Sequence, residues 1–414
     1  MDDFFSEASE NIVTRPLARL GPARGVGRAP PIPRAVVPMS VSVPTIDFGA
    51  FEGRDPEAHA RVVRQVADAC ERVGFFFASN HGIEERVLSD ALRHARGFFE
   101  QPLEAKMRVA DLKKGYIPVG GCDNAVRPSS MHEKFSCGPV DVDENDEYYV
   151  GADARAALYF GERNRWPSTP SGFRDAYESY YRAVVGFVDV LHRAFAEALG
   201  APPTFFSRSS RKHVSNLVAL RYPPVQEEAS RVEIVSKSPL ERVRPHTDPT
   251  DVTVLLFEDG PRGLQVMPEG GASANEWIDV PDDAADRDDE TERMKKKLLV
   301  NLGDATQFWT NDRWRSTRHR VIVRDVEEAK RDRVSLVFFH APDYDARVDA
   351  AALAAAQMAE EDSEKVVSAT RPARYAPFEY SERTHFAQLA RDERGLRDRQ
   401  VLDPRGERAG LTER

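Results

Sequence analysis

Apolar positions recur at helical spacing over three stretches in the first half of the chain, and at strand spacing over a series of short runs in the second. In DPEAHARVVRQVADACERVG the residues Val62, Val63, Val66, Ala67 and Cys70 share one helical face, and Gly74 ends that helix before the strand FFFASN. IEERVLSDALRHARGFFEQP predicts a second amphipathic helix closed by Pro102. SGFRDAYESYYRAVVGFVDVLHRAFAEALG predicts a long third one, with Ser171 as cap and Gly200 as stop. After about residue 210 the runs VSNLVALRY, DVTVLLFED, GLQVMP, EWIDV, KLLVNLGD, RHRVIV and RVSLVFFHAP follow one another between Pro, Gly and Asp clusters. Many short strands without intervening helices predict a mainly β sandwich or barrel, for which a jelly roll is one of the standard closures.

These textures divide the chain. Residues 1–42, rich in Pro, Arg, Ala and Gly, are predicted to be a disordered arm. A helical N-terminal region (43–205) opens on the short strand VPTIDF, a β core spans 206–346, and a helical, then polar, extension occupies 347–414. The segment PDDAADRDDETERMKKK (281–297) splits two strands and is too charged for the core, so it reads as a solvated insertion.

Composition narrows the function. A chain of 414 residues, 41% hydrophobic, is long enough to bury a sizeable core. A net charge of -10, with no basic run beside aromatics, argues against a nucleic-acid partner and for a small-molecule one. No apolar window approaches the roughly 18 residues of a membrane span, and no signal core is present. The expectation is a cytoplasmic monomer with no membrane partner. Cys70, Cys122 and Cys137 are an odd set without CxxC spacing, which predicts reduced, mostly buried thiols.

The candidate chemistry begins at RPHTDPTDVTVLLFEDG. A His-x-Asp pair such as His246 and Asp248 arises by chance about once or twice in a chain with ten histidines and 68 acids. At the start of a strand, however, residues two apart share a face and can bind one ion. His319, at the mouth of another predicted strand, supplies a third ligand. Two imidazoles and a carboxylate suit a non-haem Fe(II) oxygenase; zinc hydrolysis is the competing chemistry, although HExxH is missing. Asp251 reads as part of the strand's polar lip. In RDRVSLVFFHAP, Arg333 and Ser335 share a face and together can hold a carboxylate, with Tyr222 of LRYPP as a third donor. Pairing of Arg333 with Asp332 or Asp304 is the alternative. Tyr116, Phe135, Phe257 and Phe339 are candidate substrate-pocket residues, while Lys134 and Arg244 are expected at the surface.

In order, YPP, the HTD run through GLQV, WIDVP, LVNLGDATQFWTNDRWRSTRHRV and RVSLVFFHAP closely resemble the isopenicillin N synthase-like family of Fe(II)/2-oxoglutarate-dependent dioxygenases. VPTIDF, ERVGFFFASNHGI, KGYIPVGG and HEKFSCGP extend the resemblance over about residues 43–345. It implies a double-stranded β-helix, a distorted jelly roll flanked by N-terminal and C-terminal helices. It further implies iron at His246, Asp248 and His319, and the far carboxylate of 2-oxoglutarate at Arg333, Ser335 and Tyr222. With O₂, such an enzyme oxidises a C–H bond of a small molecule, often in secondary metabolism. Related halogenases lack the carboxylate ligand, so Asp248 favours hydroxylation, desaturation or ring closure. The resemblance also takes in iron oxidases that do not use 2-oxoglutarate, and a non-catalytic jelly-roll binding protein is the alternative from another class. Some members carry Asn two residues before the YP tyrosine, where this chain has Leu220, and Asn216 lies four residues too early to replace it.

Overall fold

A computed structural model describes residues 42–120, 131–225, 240–268, 276–281, 296–359 and 372–383. Residues 1–41 of the arm, the acidic insertion from 282 to 295, Cys122 and most of the C-terminal extension lie outside the described residues.

In chain order the strands that build the site are β1 (Thr45–Asp47), β2 (Phe75–Ser79), β3 (Tyr116–Ile117), β4 (Glu133–Cys137), β5 (Asn216–Tyr222) and β6 (Leu240–His246). They continue with β7 (Val252–Phe257), β8 (Leu264–Met267), β9 (Ile278–Asp279), β10 (Leu298–Leu302), β11 (Arg318–Val323) and β12 (Arg333–His340). The large sheet runs β1-β2-β10-β7-β12-β5-β4-β3, and the small one β6-β11-β8-β9. Every pairing is antiparallel except β1 with β2. This is the jelly roll expected. The N-terminal region is more than helical, because β1 and β2 form one end of the large sheet and β3 and β4 the other.

Strand alternation divides the apolar residues between two cores. Phe76, Val254, Leu256, Val300, Leu336 and Phe338 turn outward against the helical layer, chiefly the helix Phe173–Leu199. Phe75, Phe77, Phe257 and Leu299 turn inward and meet Leu264, Val266 and Val321 of the small sheet. On β12 the inward positions are therefore Arg333, Ser335, Val337 and Phe339.

The predicted helices form, with one change at a terminus. Pro56–Arg72 buries Val62, Val66 and Cys70, and Asp55 caps it by accepting from the Glu57 N–H. The long helix begins after Gly172 in a left-handed conformation (φ 80°), so Ser171 does not cap it; Gly200 (φ 72°) ends it as expected. Cys70 and Cys137 are buried free thiols. In the C-terminal extension, Ala350–Ala359 is helical. No described helix is long and apolar enough to cross a membrane.

Candidate active site

His246 is the last residue of β6, and its direct ladder partner is His319, second in β11. Asp248 departs from expectation because it lies in the turn between β6 and β7, not on a strand. Pro249 has no N–H to continue a ladder and restricts the residue before it, so the chain reverses there and carries the carboxylate back towards both rings.

The donor atoms converge. His246 Nδ1 lies 2.8 Å from the Arg244 carbonyl and His319 Nδ1 3.1 Å from that of Thr317. Carbonyls only accept, so each Nδ1 carries the proton and each Nε2 presents a lone pair. The Nε2 atoms stand 3.7 and 3.6 Å from Asp248 Oδ1. That is too long for hydrogen bonding, whereas two ligands each about 2.1 Å from one ion can be up to about 4.2 Å apart. Asp248 Oδ2 accepts from Thr253 Oγ1 and Asn301 Nδ2, both at 2.8 Å, which leaves Oδ1 aimed at the rings. Burial opposes the Asp248 charge, but His319 and His246 whenever their rings are protonated, together with the two donors, outweigh it and hold the carboxyl below its usual range. Burial also lowers His319, which favours the neutral ring that a metal requires. Asp248 and His319 are enclosed while the His246 side chain is 40% exposed, so the cluster is approachable from one side.

Thr253 and Asn301 do not stand out in the sequence. The available signal is Asn301 itself, the one polar residue in the wholly buried strand LLVNL. Asn301→Ala is expected to weaken Fe(II) binding about 10- to 100-fold, measured by competition against a metal indicator, because outer partners of ligands commonly contribute that much.

Arg333 is buried, and its guanidinium carbon sits 5.0 Å from the Tyr222 ring centre and 5.3 Å from that of Phe257. Its Nε and Nη1 have no hydrogen-bond partner among the described residues. The ion pairs weighed as alternatives are not made. Asp332 is taken by Arg221 at 2.6 Å, and Asp304 accepts from Thr247. Tyr222 is directly across the ladder from Arg333, and Leu220 from Ser335. Asn216 is opposite Phe339, at the end nearer the histidines.

The four aromatic candidates separate. Phe257 touches Arg333, and Phe339 is half-buried on the inward face. Tyr116 and Phe135 are corrected: they pair with each other, Phe135 pairs with helix-facing Ala219, and both lie in the outer core. Directly opposed residues share a face, so the inward positions of β4 are Lys134 and Ser136. Phe135 packs instead on Phe98, Phe173 and Tyr177, and the Tyr116 hydroxyl donates to Glu133. Lys134 is half-buried on that inward face, not at the surface as expected; Arg244 is exposed.

Asp251 is also corrected. It is buried, not at a polar lip, and its oxygens accept from His340 Nδ1 (2.7 Å), His192 Nε2 (3.0 Å) and the Val252 N–H (2.7 Å). Its carbonyl accepts from the Gly303 N–H and the Thr306 hydroxyl. Those bonds pin the turn that carries Asp248 to the large sheet and the long helix. Burial opposes the Asp251 charge, but His340 and His192 hold the carboxyl far below its usual value. Its contribution to stability is therefore complete above the usual carboxylate pKa of about 3.9 and is lost as pH falls below it. Asp251→Asn is expected to cost about 1.5–3 kcal/mol in denaturant unfolding at neutral pH, the difference from wild type narrowing below about pH 4.

A jelly roll with an open cluster of two imidazoles and a carboxylate, and a buried arginine between its sheets with Nε and Nη1 unpaired among the described residues, is the arrangement of a non-haem iron oxygenase. Family models match most of the described chain. One for the N-terminal part of non-haem dioxygenases in morphine synthesis covers residues 43–169, and one for the 2OG-Fe(II) oxygenase superfamily covers residues 214–342. A 2-oxoglutarate-Fe(II) type oxidoreductase of Metarhizium rileyi is 31% identical over 309 residues, 72% of this chain and 80% of the relative. The validamycin A dioxygenase of Streptomyces hygroscopicus subsp. limoneus is 28% identical over 75% of this chain and 80% of its own length. A full-length Neurospora crassa protein solved in complex with alpha-KG shares the fold at TM-score 0.63 and 20% identity, over 84% of this chain and 95% of that one. The chain belongs to the 2OG-Fe(II) oxygenase superfamily. It is a dioxygenase that uses Fe(II), O₂ and 2-oxoglutarate to oxidise a small molecule.

Proposed function

We propose that His246, Asp248 and His319 bind the iron, and that Arg333, Ser335 and Tyr222 hold the far carboxylate of 2-oxoglutarate. The observation that carries this reading is the placement of the two groups on one inner surface. The three donors lie at the Thr253 end of β7 and the Arg333 guanidinium, whose Nε and Nη1 have no partner among the described residues, at its Phe257 end, four residues along the same strand. A short diacid that reaches the metal with one end meets Arg333 with the other.

Bound there, the metal and co-substrate supply the oxidising chemistry, with 2-oxoglutarate leaving as succinate and CO₂. The chain's own residues hold and orient. The Arg244 and Thr317 carbonyls keep both imidazoles in the ligating tautomer, Asn301 and Thr253 fix the carboxylate, and the inner aromatics exclude water. Asp248 occupies a ligand position that a halide would need, which favours hydroxylation, desaturation or ring closure. Phe339 and Asn216 line the substrate space beside the metal. Asn216 Oδ1 is buried without a partner among the described residues and offers an acceptor to a substrate N–H or O–H.

The substrate class is a small natural product of secondary metabolism. Support comes from relatives named for validamycin A and for jasmonate induction, and from a similar fold solved with thymine. The test is mass analysis of a small-molecule panel incubated aerobically with enzyme, Fe(II) and 2-oxoglutarate. A product that gains one oxygen atom or loses two hydrogens, formed together with succinate, is expected. Halogen incorporation, or oxidation without succinate, would contradict the reading.

A further inference from the structure

Arg242 lies on β6, four residues before His246, and is only 5% exposed. Its Nε and Nη2 have no partner among the described residues, and Nη1 makes just a long contact of 3.4 Å to the Tyr222 carbonyl. Its guanidinium carbon is 5.9 Å from the Tyr222 ring centre, which Arg333 approaches at 5.0 Å. β6 belongs to the small sheet and β12 to the large one, so two guanidiniums from different sheets meet at one tyrosine, with four nitrogens unpaired among the described residues.

A buried cation without an anion is costly, and a second beside it adds repulsion. Burial, then the charge of Arg333, depress Arg242 below the usual arginine value. The neighbouring carboxylates are committed: Glu328 accepts from the Arg324 N–H and guanidinium, and Asp332 from Arg221. Nothing among the described residues discharges Arg242, and packing alone would be served better by an apolar side chain. What the pair suits is an anion entering between the sheets.

We propose that Arg242 is a second anchor for the distal carboxylate of 2-oxoglutarate, which joins the Arg242 and Arg333 guanidiniums beside Tyr222. The inference rests on the reading of Arg333 as the co-substrate anchor. It makes the site selective for 2-oxo diacids, since a 2-oxo monoacid would leave both cations unpaired.

The test is anaerobic calorimetric titration of the full chain, loaded with Mn(II), with 2-oxoglutarate and without primary substrate. Wild type is compared with Arg242→Met, Arg242→Lys and Arg333→Met. Arg242→Met is expected to bind about 10- to 100-fold more weakly, and Arg242→Lys between it and wild type, as loss of a charge-assisted bond predicts. Without 2-oxoglutarate, Arg242→Met is expected to melt no lower than wild type, because an unpaired buried charge has gone; a purely structural arginine would give a lower melting temperature. Wild-type affinity in Arg242→Met, beside weakened Arg333→Met, would overturn this inference and leave the co-substrate reading standing. Wild-type affinity in Arg333→Met, or no binding by wild type, would overturn both.

Discussion

Replacing Asp248 with alanine is expected to weaken Fe(II) binding by more than about 100-fold, beyond what loss of an outer partner costs, and to leave the fold intact. Asp248 is the only anionic member of the cluster, and its Oδ1 is the atom both Nε2 lone pairs approach. Without it, two neutral imidazoles remain, and the hydrogen bonds from Asn301 and Thr253 have nothing to hold. The fold should survive, because the turn is anchored independently through Asp251 and by the Asp304 N–H bonding to the Asp248 carbonyl. Metal analysis after anaerobic reconstitution, with circular dichroism on the same samples, checks both halves. Wild-type iron content in the variant would place the metal elsewhere.

Arg333→Met is expected to raise the KM for 2-oxoglutarate by roughly 30- to several-thousand-fold, the equivalent of about 2–5 kcal/mol for truncating one partner of a buried charge pair. Methionine keeps much of the apolar stem that packs against Tyr222 and Phe257, so the loss is chiefly of charge and directed N–H groups. Arg333 stands at the far end of the inner surface from the donor cluster, so kcat at saturating co-substrate should change far less than KM. Initial rates over a wide range of 2-oxoglutarate separate the two. A fall in kcat with KM unchanged would remove Arg333 from co-substrate binding.

The three proposed ligands are legible in the sequence because chemistry constrains their type, their order and the strand mouths they occupy. Geometry that depends on register is not. The strand β6 goes unmarked because LERVRPH places Glu241 and Arg244 outward on an edge strand, where charge is tolerated, so no apolar alternation reveals it. Arg242 is hidden with it. β4 buries residues of both phases, Glu133, Phe135 and Cys137 on one and Ser136 on the other, so EKFSC gives no signal for which phase points inward; Phe135 reads onto the wrong face for that reason. Asp251 resembles a turn residue by position, and only tertiary structure brings His192 and His340, 59 and 89 residues away, to its two oxygens. Gly172 rather than Ser171 opens the long helix because the chain enters it through a left-handed residue.

The proposed site places iron at one end of a single inner surface and 2-oxoglutarate at the other. It is tested most directly by release of labelled CO₂ from the 2-oxoglutarate carboxyl beside the keto group, measured side by side for wild type, Asp248→Ala and Arg333→Met. The expected result is Fe(II)-dependent release by wild type, none from Asp248→Ala at any co-substrate concentration, and recovery of Arg333→Met when 2-oxoglutarate is raised. Release that persists in Asp248→Ala, or that is indifferent to Arg333, would contradict it.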